Sequence, residues 1–390
     1  MTVRNLKKME GINLKSPALK LGIERKSLLA PLQDACAVAE RKSTLPILSH
    51  VLLNVQKKDV FVTATDLETS LRVPLADTFD EKGEGAVCLP AAKFLSIVKA
   101  SDGDIRLEIE GGKALIEAGK SKFRIPVLPA NEFPVFPEVK DAQEVTIAAG
   151  TLRQLLDRTV YAAASEKVER YMLRSVLLHL KGKNTSLTAV GTDGKNMAVA
   201  TAPLEGENLK DKKYILPSGS AADLVKILSG LDADESLSVQ LGDNHALITR
   251  GDLQFAARLL EGAYPDYARA IPQQTPTAVQ VASVGFQRAL ERMALIAPEL
   301  GVEFASGEAR LRAQNPSAGE AEEVFPAEEQ IGPDVQLRLH IPSVLRILRA
   351  IEDARITIGL SDATSVALMH GAEPGSALSY KCLTMPLRPN

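Results

Sequence analysis

The 390-residue sequence contains no Trp, and aromatic residues make up only 4% of it. Its cores must therefore be filled by aliphatic side chains, which a hydrophobic content of 45% can supply. The three cysteines, Cys36, Cys88 and Cys382, are far apart and form no Cys-x-x-Cys pair. This spacing argues against a disulfide framework or a cysteine-based zinc site and favours a reducing compartment.

Long apolar runs are also missing. No stretch approaches the roughly 18 residues that a membrane-spanning helix needs. The charged N-terminus is not followed by the apolar segment of a secretion signal. We therefore expect a cytoplasmic protein with no membrane partner. A chain of this length is expected to hold about two to four domains.

Patterns typical of catalysis are scarce. Gly119-Lys120-Ser121 resembles the end of a phosphate-binding loop, but Ala114 stands where that loop needs a glycine, so we interpret it as a hairpin turn. Asp66 with Glu68, and Asp193 alone, could be metal ligands, although their place at strand ends favours turn-forming hydrogen bonds. The histidines are isolated in the sequence and show no metal-binding spacing: His50, His179, His245, His340 and His370. We expect no catalytic residue, metal or cofactor, and hence a scaffold or binding ring.

The main positive feature is a domain-sized repeat. Each repeat begins with a helix and alternating strands, and a proline then opens a second helix, which more strands follow. The opening prolines, Pro90, Pro217 and Pro342, lie 127 and 125 residues apart. A period this long indicates repeated domains, because solenoid repeats are shorter.

Periodicity predicts six helices, at 23–39, 91–100, 152–164, 220–228, 286–297 and 341–351. Strands are predicted at 51–55, 60–65, 71–73, 87–89, 105–109, 113–117, 122–127, 175–180, 185–190, 236–241, 246–249, 254–260, 303–305, 309–313, 356–360, 365–369 and 378–384. The expected fold class is α+β, with three repeated domains that each hold two helices against two antiparallel four-stranded sheets. The expected division is an N-terminal extension over 1–17 and domains over 18–140, 141–273 and 274–390. The alternative is three independent α+β domains without a shared geometry.

Charge is sorted between the helices and the rest of the chain. The net charge is −3, but the predicted helices with their flanks hold 15 Lys and Arg against 9 Asp and Glu, which leaves +6 there and −9 elsewhere. If the helices share one surface, its local potential can attract a polyanion. Without a base-reading motif, the contacts would be to phosphates and independent of sequence. The candidate phosphate-contacting residues are Arg25, Lys26, Arg41, Lys42, Lys93, Lys99, Arg153, Arg158, Lys226, Arg288, Arg292, Arg346 and Arg349. The alternative for each one alone is an ordinary solvated helix surface.

Six short motifs occur in order along the repeats. They are Lys42-Ser43-Thr44-Leu45-Pro46-Ile47-Leu48, Ala64-Thr65-Asp66-Leu67-Glu68, Thr192-Asp193-Gly194, Tyr264-Pro265-Asp266-Tyr267, Asn315-Pro316 with Glu320-Ala321-Glu322-Glu323, and Met385-Pro386-Leu387-Arg388. Together they closely resemble the bacterial sliding clamp family, the beta subunit of DNA polymerase III. The resemblance extends from about Leu19 to Arg388.

The resemblance implies a non-catalytic processivity factor for DNA replication. Members of the family form head-to-tail homodimeric rings, with sheets as the outer wall and helices lining a hole that encircles double-stranded DNA. The candidate cations would then be the DNA-facing residues, and binding would be sequence-independent. The implied partners are the DNA polymerase III alpha subunit and other polymerases, which bind through short linear peptides, and a clamp loader, which uses ATP to open the ring.

The resemblance also assigns residues to two further sites. It implies a dimer interface in which Phe123 and Ile125 pair with Leu295 and Ile296. It implies a peptide-binding pocket formed by Arg170, Leu173, Thr192, Gly194, Met197, Pro265, Arg269, Ala270, Ile341, Pro342, Leu383, Met385, Pro386, Leu387 and Arg388. An apolar cleft with a few polar groups suits a peptide with Leu or Phe anchors. The alternative for Leu173, Met197 and Leu387 is ordinary core.

The sequence departs from the family at two places in this pocket. Lys195-Asn196 stands where the family usually has His-Arg, and Pro342 replaces a usual Ser. Two functions stay open beside the replicative clamp, and these changes bear only on the first. One is an accessory clamp copy with altered partners. The other is an enzyme on a repeated α+β scaffold, which would need polar groups converging in one deep cleft.

Overall fold

A computed structural model describes residues 19–39, 44–56, 59–165, 167–183, 185–205, 209–371 and 378–388. The predicted extension over 1–17 and the candidate cations Arg41 and Lys42 lie outside these residues. The chain divides into two compact units, Met1–Glu144 with Ser236–Arg258 and Val145–Glu235 with Leu259–Asn390. Seven α-helices and 27 strands are assigned in the described part of the chain.

The first third of the chain contains two long helices and ten strands. In order they are β1 (Leu19–Ile23), α1 (Arg25–Val38), β2 (His50–Gln56), β3 (Asp59–Thr65), β4 (Thr69–Pro74), β5 (Thr78–Lys82), β6 (Gly85–Pro90), α2 (Ala91–Ala100), β7 (Ile105–Glu110), β8 (Lys113–Ala118), β9 (Ser121–Pro126) and β10 (Leu128–Pro129). Short 3-10 turns lie at Pro46–Ser49 and Ala130–Glu132.

The middle third repeats this order. Its elements are β11 (Gln143–Ala148), α3 (Ala149–Val160), β12 (Ser175–Lys181), β13 (Ser186–Thr192), β14 (Asn196–Pro203), β15 (Lys212–Pro217), α4 (Ser218–Leu228), β16 (Ser236–Leu241), β17 (His245–Arg250), β18 (Leu253–Arg258) and the one-turn helix α5 (Tyr267–Ala270). A 3-10 turn at Tyr171–Arg174 precedes β12, as Pro46–Ser49 precedes β2.

The last third follows the same order again. Its elements are β19 (Thr277–Ala282), α6 (Ser283–Met293), β20 (Glu299–Ala305), β21 (Glu308–Asn315), β22 (Gly319–Pro326), β23 (Glu329–Ile331), β24 (Val335–His340), α7 (Ile341–Ala350), β25 (Arg355–Leu360), β26 (Ala367–Gly371) and β27 (Ser379–Thr384). The α+β class with three repeats is confirmed.

Three of the four sheets are larger than the predicted four-stranded units, and the fourth has the predicted size. The first unit has a five-stranded sheet, β5-β1-β7-β8-β9, and a second sheet in which β10-β6-β2-β3-β4 continues into β18-β17-β16. The second unit has the nine-stranded sheet β15-β12-β13-β14-β27-β26-β25-β19-β23 and the four-stranded sheet β22-β21-β20-β24. β4 pairs with β18, and β14 pairs with β27, so neither β4 nor β14 is a free sheet edge. Such pairing satisfies edge backbone groups that would otherwise face solvent.

The second helix of each repeat begins where its proline predicts. Pro90 and Pro217 are the residues that cap α2 and α4, and Pro342 lies in the first turn of α7. Proline suits these positions because the first helical N–H groups have no partner within the helix. The predicted start of α1 at Ile23 was wrong, since Ile23 ends β1 and the helix begins at Arg25. Leu19, Leu21 and Ile23 are buried with the period of two typical of a strand.

Helix α3 packs closely on the centre of the nine-stranded sheet. A Cβ atom at Gly191, in β13, would lie 1.9 Å from the Thr159 carbonyl oxygen of α3, so only glycine permits this approach. On the same side of the sheet, the Tyr161 hydroxyl at the end of α3 lies 2.9 Å from the Tyr380 hydroxyl and 3.3 Å from Cys382 Sγ. The side chain of Leu383 follows Cys382 in β27 and therefore points to the opposite face.

Candidate functional site

The turn between β13 and β14 forms the first wall of the proposed pocket. Asp193 Oδ1 accepts hydrogen bonds from the backbone N–H of Lys195 at 2.9 Å and of Asn196 at 2.6 Å. Thr192 Oγ1 donates to the Asn196 carbonyl at 2.7 Å and accepts from the Gly194 N–H at 3.1 Å. Gly194 has φ of 89°, which favours glycine. The interpretation of Asp193 as a turn-forming residue is confirmed.

The floor of the pocket is apolar and belongs to the face away from α3. Met197 in β14 is paired in register with Leu383 in β27, and both are buried. They pack in one hydrophobic cluster with Leu177, Val190 and Tyr264. This arrangement joins residues from the middle and last thirds of the chain in one buried cluster.

Helix α5 and the segment before it form the second wall. The Tyr264 hydroxyl donates to the Val190 carbonyl at 3.0 Å, and burial raises the pKa of this hydroxyl above its usual value. The Tyr267 hydroxyl lies 2.8 Å from Nδ1 of His179, whose Nε2 lies 2.9 Å from Asp211 Oδ1. Burial raises the pKa of Tyr267 as well. The two buried tyrosines hold this segment against the sheet. Pro265 lies between them in the chain and is exposed.

In the sequence, His179 is an isolated histidine that shows no metal-binding spacing. In the structure, the extended backbone of β12 directs it to the same face as Leu177, where it meets Tyr267. Asp211 reaches it from the loop before β15. The only sequence signal for this contact was the Tyr264-Pro265-Asp266-Tyr267 motif, which marked the segment but not its partners.

The C-terminal segment forms the third wall. The Met385 N–H donates to the Lys195 carbonyl at 2.9 Å, so this segment is bonded directly to the first wall. The Leu387 N–H donates to the Arg338 carbonyl in β24 at 2.8 Å, next to the start of α7. Met385 is 47% exposed, so its thioether is available on the surface.

All fifteen pocket residues lie in the second unit. Five are buried: Leu173, Thr192, Met197, Ile341 and Leu383. Two are partly buried: Pro386 and Leu387. Eight are exposed: Arg170, Gly194, Pro265, Arg269, Ala270, Pro342, Met385 and Arg388. The structure thus gives an apolar base with an exposed rim that carries three arginines, of which Arg269 is paired with Asp266 at 3.0 Å.

The candidate cations on the helices differ in whether they already form ion pairs. The six long helices contain eleven of the thirteen candidates. Six of them pair with carboxylates: Lys26 with Glu24, Arg158 with Glu352, Lys226 with Asp223, Arg292 with Glu323, Arg346 with Asp193 and Arg349 with Glu291. Lys93, Lys99 and Arg153 form no side-chain ion pair with any residue in the described ranges, and Arg288 lies near Glu291.

Arg25 and Arg158 have structural contacts that the sequence did not reveal. Arg25 donates from Nε to the Val98 carbonyl at 3.0 Å and from Nη2 to the Lys99 carbonyl at 3.2 Å, and so caps the end of α2. The Arg158 side chain is only 15% exposed, and its guanidinium carbon lies 5.4 Å from the ring centre of Tyr380. These two side chains support helix packing, whereas Arg153 remains available for an external anion.

The proposed interface residues lie at sheet and helix ends. Phe123 and Ile125 are in β9, an edge strand, on the face shared with the buried Ile116. Leu295 and Ile296 follow α6, and Leu295 is 81% exposed. A highly exposed apolar side chain is typical of a contact surface when other apolar side chains lie beside it.

The sequence predicts neither a metal site nor a membrane-spanning helix. Among the described residues, no group of three or more His, Cys, Asp and Glu has an arrangement that could hold a metal ion. Within the same residues, no helix is long and apolar enough to cross a membrane. The Gly119-Lys120 segment is a two-residue turn between β8 and β9, as predicted, with φ of 61° at Gly119.

The fold is a repeated α+β scaffold whose long helices carry most of the candidate cations and whose proposed pocket residues combine a buried apolar base with an exposed rim. Three profiles of one family match the chain in order. They are the N-terminal domain of the DNA polymerase III beta subunit over 19–137, its central domain over 146–266 and its C-terminal domain over 268–388.

Individual relatives agree with these matches. The chain is 33% identical to the beta sliding clamp of Pseudomonas aeruginosa over 374 residues, which cover 94% of this chain and 99% of that protein. It is 31% identical to the beta sliding clamp of Escherichia coli K12 over 378 residues, or 95% and 100% of the two chains. The crystal structure of the Pseudomonas aeruginosa DnaN sliding clamp bound to griselimycin superposes with a TM-score of 0.88 at 31% identity, covering 96% of this chain and all of that one. The chain belongs to the DNA polymerase III beta subunit family, the bacterial sliding clamps.

Proposed function

We propose that this chain closes with a second copy into a head-to-tail ring around double-stranded DNA. The ring holds the DNA polymerase III alpha subunit and other polymerases at the template, and a clamp loader opens it. The chain contributes three domains, over 18–140, 141–273 and 274–390. It performs no catalysis itself, and it works in the cytoplasm. Processivity then comes from encirclement, so the direct contacts with DNA can be weak and mobile.

The observation that carries this proposal is a pair of edge strands with opposite charge. β9 ends the five-stranded sheet and exposes Lys122 and Arg124, whereas β22 ends the four-stranded sheet and carries Glu320, Glu322 and Glu323. The open backbone groups of an edge strand can pair with another strand. Since the two edges differ, a contact between copies would be heterologous and would close only as a ring of fixed rotation.

Contacts beside these strands support the same interface. Helix α6 is bonded to β22 through Arg292, whose Nε donates to Glu323 at 2.9 Å. The ring of Phe286 in α6 also packs on Phe325 in β22, with centres 5.7 Å apart. Leu295 therefore lies at the end of a helix anchored to the acidic edge. It is well placed to cover Phe123 of a partner whose basic edge pairs with β22.

The charge distribution supports contact with a polyanion. The long helices carry eleven Lys or Arg and four Asp or Glu, although the whole chain is acidic. Partly paired cations give weak phosphate contacts, which are suited to a ring that slides. The apolar cleft, with Met197 and Leu383 at its base, supports binding of a short peptide with bulky apolar anchors.

The decisive experiment compares two forms of the same plasmid. Purified protein and a clamp loader are incubated with nicked circular DNA, and the DNA is passed over a sizing column in high salt before and after linearisation. We expect retention on the circle and loss from the linear form, with a free-protein mass of twice 41.9 kDa. Equal retention on both forms, or a monomeric mass at micromolar concentration, would contradict the proposal.

A second candidate is an accessory clamp copy with altered partners. It is favoured by Lys195-Asn196 and Pro342, which stand at the pocket where the family usually has other residues. Titration with the C-terminal peptide of the host polymerase separates the two. Binding supports the replicative clamp, and a ring that is retained on circular DNA but ignores this peptide supports the accessory copy.

A further inference from the structure

Asn196 connects two walls of the peptide cleft through its side chain. Its Nδ2 donates to Asp193 Oδ2 at 2.9 Å, and its Oδ1 accepts from Thr384 Oγ1 at 2.9 Å. The partners fix the amide orientation, because a carboxylate can only accept from it. Asn196 and Thr384 are paired across β14 and β27, and both are buried. The first wall and the strand that leads into Met385 are therefore joined by a continuous polar chain.

The internal repeat shows that the turn itself does not need this connection. In the first third, Asp66 Oδ1 accepts from Glu68 N at 3.0 Å and from Thr69 N at 2.6 Å, which matches the bonds of Asp193. Thr65 Oγ1 donates to the Thr69 carbonyl at 2.8 Å, as Thr192 does to Asn196. In both copies the neighbouring strand also leads into a backbone N–H that donates to the turn. In the first third, the Arg258 N–H donates to the Glu68 carbonyl at 2.7 Å.

The difference between the copies lies in the cross-strand pair. Thr69 is paired in register with Ala257, which has no side-chain hydrogen-bonding group. The Thr69–Ala257 position therefore has no counterpart of the Asn196–Thr384 side-chain bond, although Arg72 Nη1 donates to Gln254 Oε1 at 3.3 Å elsewhere on the same two strands. The backbones of both turns are formed by the same bonds. The extra polar connection of the second copy is therefore not a requirement of the turn.

We propose that Asn196 and Thr384 are positioning residues of the peptide site, which hold Gly194 and Met385 at a fixed separation. This inference rests on the proposed peptide-binding function. It also gives Lys195-Asn196 a physical meaning. Asn196 is 7% exposed, and its amide nitrogen and oxygen each make a hydrogen bond, so at this position the cleft presents no side-chain charge. The cleft recognises its peptide by shape and apolar contact at this point.

The test uses a hydroxyl-to-methyl exchange that keeps the shape of the side chain. Thr384→Val removes the donor to Asn196, and Thr384→Ser restores it. The matched control is Thr277→Val, because Thr277 is buried in β19 of the same sheet and donates to the Pro333 carbonyl at 2.8 Å. The probe is a fluorescein-labelled peptide with adjacent Leu and Phe residues, and anisotropy gives its Kd for the full-length protein.

We expect Thr384→Val to weaken peptide binding about five- to tenfold, as the loss of one buried hydrogen bond predicts. Thr384→Ser should return the Kd to within about twofold of the original value, and Thr277→Val should leave it unchanged although it loses a similar bond. Equal Kd values for Thr384→Val and Thr277→Val would overturn the proposal.

A second measurement does not depend on the peptide. Hydrogen exchange of the free protein should speed up in 192–197 and 384–388 for Thr384→Val but not for Thr277→Val. If the original protein fails to bind the probe while this exchange pattern is seen, the peptide function is wrong and the positioning role stands. If exchange in these segments is unchanged by Thr384→Val, the positioning role is wrong whatever the peptide does.

Discussion

Truncation of Leu295 tests the ring through its most exposed apolar contact. Leu295 follows α6 and is 81% exposed in the single chain, so replacing it has little to disturb within the protomer. In the proposed ring it is covered by the partner's β9. Leu295→Ala should therefore weaken dimerisation while leaving the fold intact.

The magnitude follows from the carbon atoms removed. Leu295→Ala deletes three carbons, and at about 0.8 kcal/mol for each buried carbon the loss is about 2 kcal/mol per interface. A two-subunit head-to-tail ring has two identical interfaces. The total loss is then about 4 kcal/mol, which corresponds to about a thousandfold rise in the dimer Kd.

Sedimentation velocity over a dilution series measures this Kd directly. Val135→Ala is the matched control, since Val135 is 91% exposed but lies in neither proposed interface surface. Its dimer Kd should equal that of the original protein, and both variants should keep the circular dichroism spectrum of the original protein. If Leu295→Ala dimerises as tightly as Val135→Ala, the interface assignment is refuted.

Three further outcomes are expected. Arg153→Glu combined with Arg349→Glu should weaken DNA binding and lower the slope of log K against log salt by up to about 2, measured by anisotropy with duplex DNA; an unchanged slope would remove both from the DNA-facing surface. Burial raises the pKa of the half-buried Asp34 carboxyl from 3.8 to about 6, so its ionisation opposes folding as the pH rises through this range. Asp34→Asn should thus raise the free energy of unfolding in urea by about 1–3 kcal/mol at pH 8 and by little at pH 4, and equal effects at both would contradict this. Met385→Ala should raise the peptide Kd about three- to tenfold without changing the melting temperature, because Met385 is 47% exposed, and an unchanged Kd would place it outside the cleft.

Several helix starts and turns could be predicted from single residues in the sequence. Pro90, Pro217 and Pro342 marked three helix starts because proline restricts the backbone of its own residue whatever surrounds it. Asp66 and Asp193 marked turns for a similarly local reason, since their carboxylates bond N–H groups two and three residues ahead.

Two of the strands that were missed lack a clear alternation. β14 is rich in Ala and is buried on both faces over most of its length, so it shows no period of two. The Glu-rich sequence of β22 is typical of a polar loop, yet β22 forms an antiparallel ladder with β21 along its length. Such strands depend on their neighbours for their structure, and those neighbours are not encoded in the strand itself.

The sequence by itself determined the threefold repeat, the proline that marks the second helix of each repeat and the concentration of cations on helices, because each depends on contacts within a few residues or on simple periodicity. Only the tertiary structure decided which cations are already paired, as Arg292 is with Glu323, and which form no ion pair within the described part of the chain, as is the case for Arg153. It alone joined β14 to β27 and so brought Asn196 to Thr384, 188 residues away. Such contacts arise from strand pairing between distant segments, and the side chains that meet there carry no local sign of their partners.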